Sequence, residues 1–157
     1  MRYDSILFDL DGTLWDSTGA VAASWEEALA GVPDIEGPPT RAQLEGVMGM
    51  TAEDLMAKLY PHLSKERHME LFDRCCQVEN TYLREHGGVL YPQLEETLEA
   101  LSQKLPLFIV SNCNAEYIPC FLDAHQLHRY FQDWECIGRT GKQKWENIRL
   151  VVERNHL

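Results

Sequence analysis

The chain has 157 residues, 45% of them hydrophobic and 25% charged, enough for one hydrophobic core and a small appended module. Its formal net charge of −11 argues against nucleic acid and against anionic membrane surfaces as partners. No apolar run approaches a membrane span and the first residues enter a strand at once, leaving no room for a signal peptide, so a cytoplasmic protein is expected.

Residues 5–8, Ser-Ile-Leu-Phe, read as a short parallel strand covered on both faces. Asp9 stands where that strand ends, which is where open α/β sheets bind ligands. Asp11 follows two residues on, and Gly12 lets the backbone turn sharply beside it. Thr18 is placed to cap a first helix carrying Val21, Trp25, Ala28, Leu29 and Val32, with Gly31 and Pro33 near its end. After the Gly37-Pro38-Pro39 break, Thr40 starts a short helix through Leu44 and Val47, and Thr51 starts another through Leu55, Met56 and Leu59, closed by Pro61. Ser64 caps a long fourth helix whose stripe of Met69, Phe72, Cys76 and Leu83 runs to the stop at Gly87-Gly88.

Residues 16–87 are thus helical throughout, and helix alternates with strand after them. Leu94, Thr97, Leu98, Leu101 and Leu105 mark a helix, and residues 107–110 a second buried strand with Ser111-Asn112 at its carboxyl end. A helix around Tyr117, Ile118, Phe121 and Leu122 tolerates Pro119 in its first turn. Residues 134–137 read as a third strand, and Trp145, Ile148 and Val152 as the apolar side of a last helix. His125 and His128 fall i, i+3 on a helix without a nearby carboxylate and read as a surface face, not a metal site. The five cysteines are odd in number and lack a Cys-x-x-Cys, so free thiols in a reducing compartment are expected.

The segment Phe8-Asp9-Leu10-Asp11-Gly12-Thr13-Leu14 resembles the first motif of the haloacid dehalogenase superfamily, in its phosphoglycolate phosphatase-like branch. The resemblance extends to residues 91–98, where the family commonly has Gly in place of Gln93, and covers essentially the whole chain. It implies an α/β fold: a Rossmannoid parallel sheet, with a catalytic core of residues 1–15 and 88–157 and an inserted helical cap at 16–87. Asp9 is implied as a nucleophile forming an aspartyl-phosphate, and Asp11 as general acid and base. A carboxylate attacks a dianionic phosphate only if a cation offsets the repulsion, so Mg²⁺ is expected at Asp9 and Asp11.

Ser111 occupies the second-motif position, where a hydroxyl and the neighbouring backbone N–H donate to a phosphoryl oxygen, with Asn112 beside it. Lys142 and Lys144 both lie where the third motif needs a lysine. The run from Thr140 to Ile148 most resembles relatives whose lysine precedes the Ile by four residues, which selects Lys144 and leaves Lys142 solvated or contributing to the field. Gly12, Thr13, Asn112, Lys142, Gly49 and Met50 are the expected substrate-binding residues. Gly49 and Met50 lie in the stretch from Gly46 to Thr51, which reads either as the family's specificity loop or as two helix ends with a Gly between.

The family's fourth motif, an acidic cluster after a fourth strand, has no counterpart in this sequence, and Asp123 and Asp133 stand in the wrong context. The family's sheet order of 5-4-1-2-3 would then be represented by strands 1-2-3 alone. The expectation is a small-phosphomonoester phosphatase with an incomplete core, inactive in this form if truncated. Its alternatives are a phosphomutase or a non-catalytic binding or regulatory remnant. Asp11 disfavours a dehalogenase, since carbon-halide displacement needs no second acid. The first strand would be left as an apolar edge, so self-association through residues 5–10 is expected.

Overall fold

The computed structural model describes residues 3–157, so the first two residues of the expected 1–15 segment lie outside the described residues. In chain order the first elements are β1 (Ile6–Phe8), β2 (Trp15–Asp16), α1 (Thr18–Leu29), α2 (Arg41–Glu45), α3 (Ala52–Leu59), α4 (Lys65–His86) and β3 (Val89–Leu90). They are followed by α5 (Leu94–Ser102), β4 (Leu107–Ser111), α6 (Tyr117–His125), a 3₁₀ turn (His128–Tyr130), β5 (Phe131–Cys136), α7 (Ile137–Thr140) and α8 (Lys144–Arg154). The protein is a mixed α/β structure. Its main sheet is parallel in the order β1-β4-β5, with Phe8 opposite Ile109 and Ser111 opposite Cys136.

Alternation along β4 divides the core. Leu107 and Ile109 join Ile6, Phe8, Leu98, Ile118 and Phe121 on one face, while Phe108 and Val110 pack with Leu7 and Val151 of α8 on the other. All five residues of β4 are buried, as a strand covered on both faces requires. Helices α1 and α4 pack along each other, and α4 also packs on α3 and α6. Thr40, Thr51 and Ser64 each accept a backbone N–H as helix caps, and Gly87 ends α4 with φ +68. Among the described residues no helix is long and apolar enough to cross a membrane, and all five cysteines are free thiols.

Several expectations are corrected. Thr18 does not cap α1: Ser17 holds the cap position without a side-chain bond, and the Thr18 backbone N–H is taken by Asp16 Oδ1 at 3.0 Å. The third strand begins at Phe131, three residues earlier than its apolar run suggests, and Ile137 opens α7. The intervening Gln132 and Asp133 hide it, since Asp133 is carried by Arg154 and Asn155. Trp145 and Ile148 of α8 are 65% and 39% exposed, and the buried face of that helix is Asn147 and Val151. His125 and His128 are separated by the left-handed Gln126 and share no helix face, and His128 Nε2 does have a carboxylate partner, Asp123 Oδ1 at 2.8 Å. The two-residue ribbon β2-β3 was invisible to pattern because two residues carry no period. Gln93 adopts φ +62 at the start of α5, a region that favours glycine.

In β1, Ile6, Leu7 and Phe8 are only partly buried, and the strand pairs on one side alone, with β4. An apolar edge without Lys or Pro is a template for pairing. Sedimentation at high micromolar concentration is expected to show self-association. A stable monomer with rapid amide exchange along residues 6–8 would show a frayed edge instead.

Candidate active site

Asp9 is the first residue after β1, set at the sheet's carboxyl edge by the strand's end. Its Oδ1 accepts the backbone N–H of Leu10 at 2.8 Å, and its Oδ2 pairs with Lys144 Nζ at 2.8 Å. Both side chains stay partly exposed, at 38% and 31%. Lys144 is the first residue of α8, where a cation opposes the helix dipole. Its position serves the charge on Asp9 and not the helix, whose N-terminus is secured by the reciprocal Gln143 and Glu146 bonds.

Asp11 is engaged differently. Its Oδ1 accepts from Trp15 Nε1 at 2.9 Å and Ser17 Oγ at 2.8 Å, and the Tyr117 hydroxyl lies 3.0 Å from it and 2.8 Å from Ser17 Oγ. Burial pushes the Asp11 carboxyl above the ordinary carboxylate range. The donors from Ser17, Tyr117 and Trp15 oppose that rise, and the charge of Asp9 adds to it.

Ser111 ends β4 and is buried. Asn112 follows, and its Nδ2 donates to the carbonyl of Gly49 at 3.1 Å, which brings the loop between α2 and α3 over the strand end. Gly49 has φ +82, a turn for which its lack of Cβ suits it. Gly49, Met50, Asn112 and Asp11 line one cavity. Gly12 (φ +73) and Thr13 form the exposed turn between Asp9 and Trp15. Lys142 is exposed and held through its backbone: its N–H donates to Thr140 Oγ1, and its carbonyl accepts from Asn147 Nδ2, both at 3.1 Å. The structure thus gathers Asp9 with Lys144, and Asp11 with Asn112, Gly49 and Met50, while Lys142 stands apart from both groups.

The cavity, of about 550 Å³, lies between the helices α1, α3 and α4 and the loops after β4 and β5. Sequence reasoning missed its most unusual wall, Glu79 of α4. This side chain is buried; Trp25 Nε1 donates to its Oε2 at 2.6 Å and Asn114 Nδ2 to its Oε1 at 3.4 Å. Burial pushes its carboxyl up to about 8, against the Trp25 hydrogen bond and with the Asp11 charge. The signal was present as an acid three residues after Cys76 and four before Leu83, inside the apolar stripe of α4.

Gly138 fixes the cavity's rim. A Cβ there would overlap the backbone of Asn114 and Ala115, and its N–H already donates to the Cys113 carbonyl at 3.0 Å. Gly138→Ala is expected to cost about 1–3 kcal/mol by overpacking. Urea unfolding measures it, and an unchanged midpoint would contradict the contact.

A divalent cation finds little here. Among the described residues no group of three or more His, Cys, Asp or Glu is placed to hold a metal. Asp9 Oδ2 pairs with Lys144, and the Trp15, Ser17 and Tyr117 groups beside Asp11 all lie on its Oδ1. The expected ligands Asp9 and Asp11 thus offer Mg²⁺ two carboxylates at most, with the rest of its shell left to water.

The family model described as haloacid dehalogenase-like hydrolase matches residues 6–157. A phosphoglycolate phosphatase of Vibrio vulnificus (strain YJ016) is 35% identical over 141 residues, covering 82% of this chain and 58% of its own length. One of Aquifex aeolicus is 34% identical over 127 residues, covering 80% and 57%. The chain therefore spans well under two thirds of the curated relatives it matches. Among solved structures, a haloacid dehalogenase-like family hydrolase from Streptococcus pneumoniae superposes with TM-score 0.83 at 23% identity, covering 100% of this chain and 72% of that one. A hydrolase from Pseudomonas syringae superposes with TM-score 0.74 at 22% identity, covering 96% and 70%. At those identities the likeness is one of fold.

Proposed function

The chain belongs to the haloacid dehalogenase-like hydrolases, and from that premise we propose that it carries the nucleophile of a phosphatase acting on a small phosphomonoester. The observation that supports this most directly is the accessible 2.8 Å pair of Asp9 and Lys144 at the strand ends. In this reading residues 1–15 and 88–157 form the core and residues 16–87 a cap over the site.

The lysine holds the phosphoryl group and offsets its repulsion from Asp9. An Asp9 carboxylate oxygen attacks phosphorus, the P–O bond to the organic group breaks, and the departing alkoxide takes a proton from Asp11. The Asp11 carboxyl, raised by burial, is suited to remain an acid until that step. Asp11 then takes a proton from water as the acyl phosphate is hydrolysed, which returns Asp9 and releases phosphate. Ser111 and Asn112 are assigned to the phosphoryl oxygens, and Gly12 and Thr13 to the turn that closes over them. The free thiols are compatible with a cytoplasmic setting.

Magnesium is the cation such chemistry calls for, and Asp9 and Asp11 are the side chains that would hold it, offsetting the charge of the phosphoryl group. Titration calorimetry of this chain is expected to find Mg²⁺ binding in the millimolar range or weaker, since most of the coordination shell would stay water. Micromolar affinity would require a ligand set other than the one described.

The reading is tested by rapid quench after mixing with a phosphorus-labelled monoester and Mg²⁺, followed by peptide mapping. Label on the peptide containing Asp9 is expected. Phosphate release with label elsewhere, or neither release nor label, would overturn it.

A further inference from the structure

The cavity beside Asp11 has a buried acid in its wall and no cation to keep that acid ionised. Its apolar lining includes Trp25, Leu44, Met69 and Phe72, and at about 550 Å³ it exceeds the needs of a two-carbon organic group. Among the described residues no Lys, Arg or His lines it. The groups electrostatically coupled to Glu79 are Asp11, Tyr117 and Cys120 of α6, and Cys75 and Cys76 of its own helix, every one of them an acid. A carboxylate there would be desolvated without an opposite charge, a cost that a proton removes. Glu79, pushed up to about 8, is therefore a neutral carboxylic acid at pH 7, with one O–H to donate. Trp25 Nε1 donates to Oε2 at 2.6 Å, whereas Asn114 Nδ2 reaches Oε1 only at 3.4 Å, so Oε1 is the oxygen that carries the proton. Asn114 does not receive that proton, because its Oδ1 already accepts from Asn80 Nδ2 at 3.1 Å and from the Glu116 backbone N–H at 3.0 Å. Trp25, Asn114 and Glu79 all line the cavity, so the donor belongs to its wall.

Resting on the phosphatase reading above, we infer that the cavity takes the organic half of the substrate, an apolar, ring-sized body, and that the Glu79 carboxyl donates a hydrogen bond to an oxygen acceptor on it, of the carbonyl class. An apolar body without that oxygen would displace water from the O–H and leave it unpaired, which costs binding. The acceptor thus sets which ring-sized bodies fit, and the size of the cavity disfavours 2-phosphoglycolate, the compound in the relatives' name. A buried acid costs stability, and its place in the lining of a ligand cavity gives that cost a use.

Equilibrium binding of three probes to this chain in metal-free buffer tests the inference: para-acetylphenyl phosphate, para-isopropenylphenyl phosphate and 2-phosphoglycolate. The two aryl esters have nearly the same shape, and only the first has a carbonyl oxygen. At pH 7 the acetyl ester is expected to bind about fivefold more tightly than the isopropenyl ester, and more tightly than 2-phosphoglycolate. At pH 9.5 the ionised Glu79 has no proton to donate, and the preference between the aryl esters is expected to vanish. Both carry the same phosphoryl group, so its ionisation and that of Asp11 cancel from the ratio. Glu79→Gln keeps an N–H donor that does not titrate and is expected to hold the preference at both pH values, whereas Glu79→Leu is expected to abolish it at pH 7. Equal binding of the aryl esters at pH 7, a preference that persists in the parent at pH 9.5 or in Glu79→Leu, tighter binding of 2-phosphoglycolate, or no binding of any probe would overturn the inference. Phosphate release with Mg²⁺ is recorded in parallel. The expected binding order without release counts against the phosphatase reading alone, and release with equal binding of the aryl esters counts against this inference alone.

Discussion

Asp9→Asn is expected to abolish phosphate release from a phosphomonoester that the unaltered protein hydrolyses, by roughly 10⁴-fold or more, the scale on which nucleophile removal acts. The amide is nearly isosteric but lacks the anionic oxygen that forms the acyl phosphate. It also loses the ion pair with Lys144 Nζ at 2.8 Å, which is partly exposed, so the stability change should be no more than about 1 kcal/mol. Fold and activity are thus separable: an unaltered melting curve beside lost turnover is the expected pair of results. Asp11→Asn is expected to fall less far, by about 10² to 10⁴ in rate, the range of acid-base assistance. Wild-type turnover by Asp9→Asn would remove Asp9 from the chemistry.

Glu79→Gln is expected to change how stability depends on pH more than any other single substitution in the cavity. The Glu79 carboxyl has its ordinary value of 4.5 in the unfolded chain and about 8 in the folded protein, so between those values the folded state binds more protons than the unfolded state. Stability therefore falls as pH rises from 4.5 and levels off above about 8, the reverse of the usual carboxylate behaviour. Each unit of separation corresponds to about 1.4 kcal/mol, so the loss accumulates to the order of 5 kcal/mol. Asp11, also raised by burial, acts in the same direction and remains in the variant. Urea unfolding at pH 5 and pH 8 should show the variant losing clearly less stability than the parent across that interval. Parallel losses would mean that Glu79 ionises normally in the folded protein.

Local signals in the chain determined a good deal. The apolar run before Asp9, the caps at Thr40, Thr51 and Ser64, and the glycines after α4 each act within a few residues, through burial, a side chain accepting a backbone N–H, or a positive φ. For the same reason the α/β character and the run of helices before β3 were legible, whereas the preference for Lys144 over Lys142 came from a resemblance and not from any local signal. What only the tertiary structure decided depends on which distant residues meet. Trp145 and Ile148 have the period of a core face, yet they lie outside the core, because Val151 takes the contact with Phe108 and Val110. The opening of β5 is polar in sequence because Asp133 meets Arg154 only after the chain folds back. Asp11 was legible as an acid, but not its capture by Ser17 and Tyr117, the latter 106 residues away. Glu79 was a charge within a stripe until α1 placed Trp25 beside it and the loop after β4 added Asn114. Burial and partners are properties of the assembled core, and they turn an ordinary glutamate into a raised acid at the wall of a cavity.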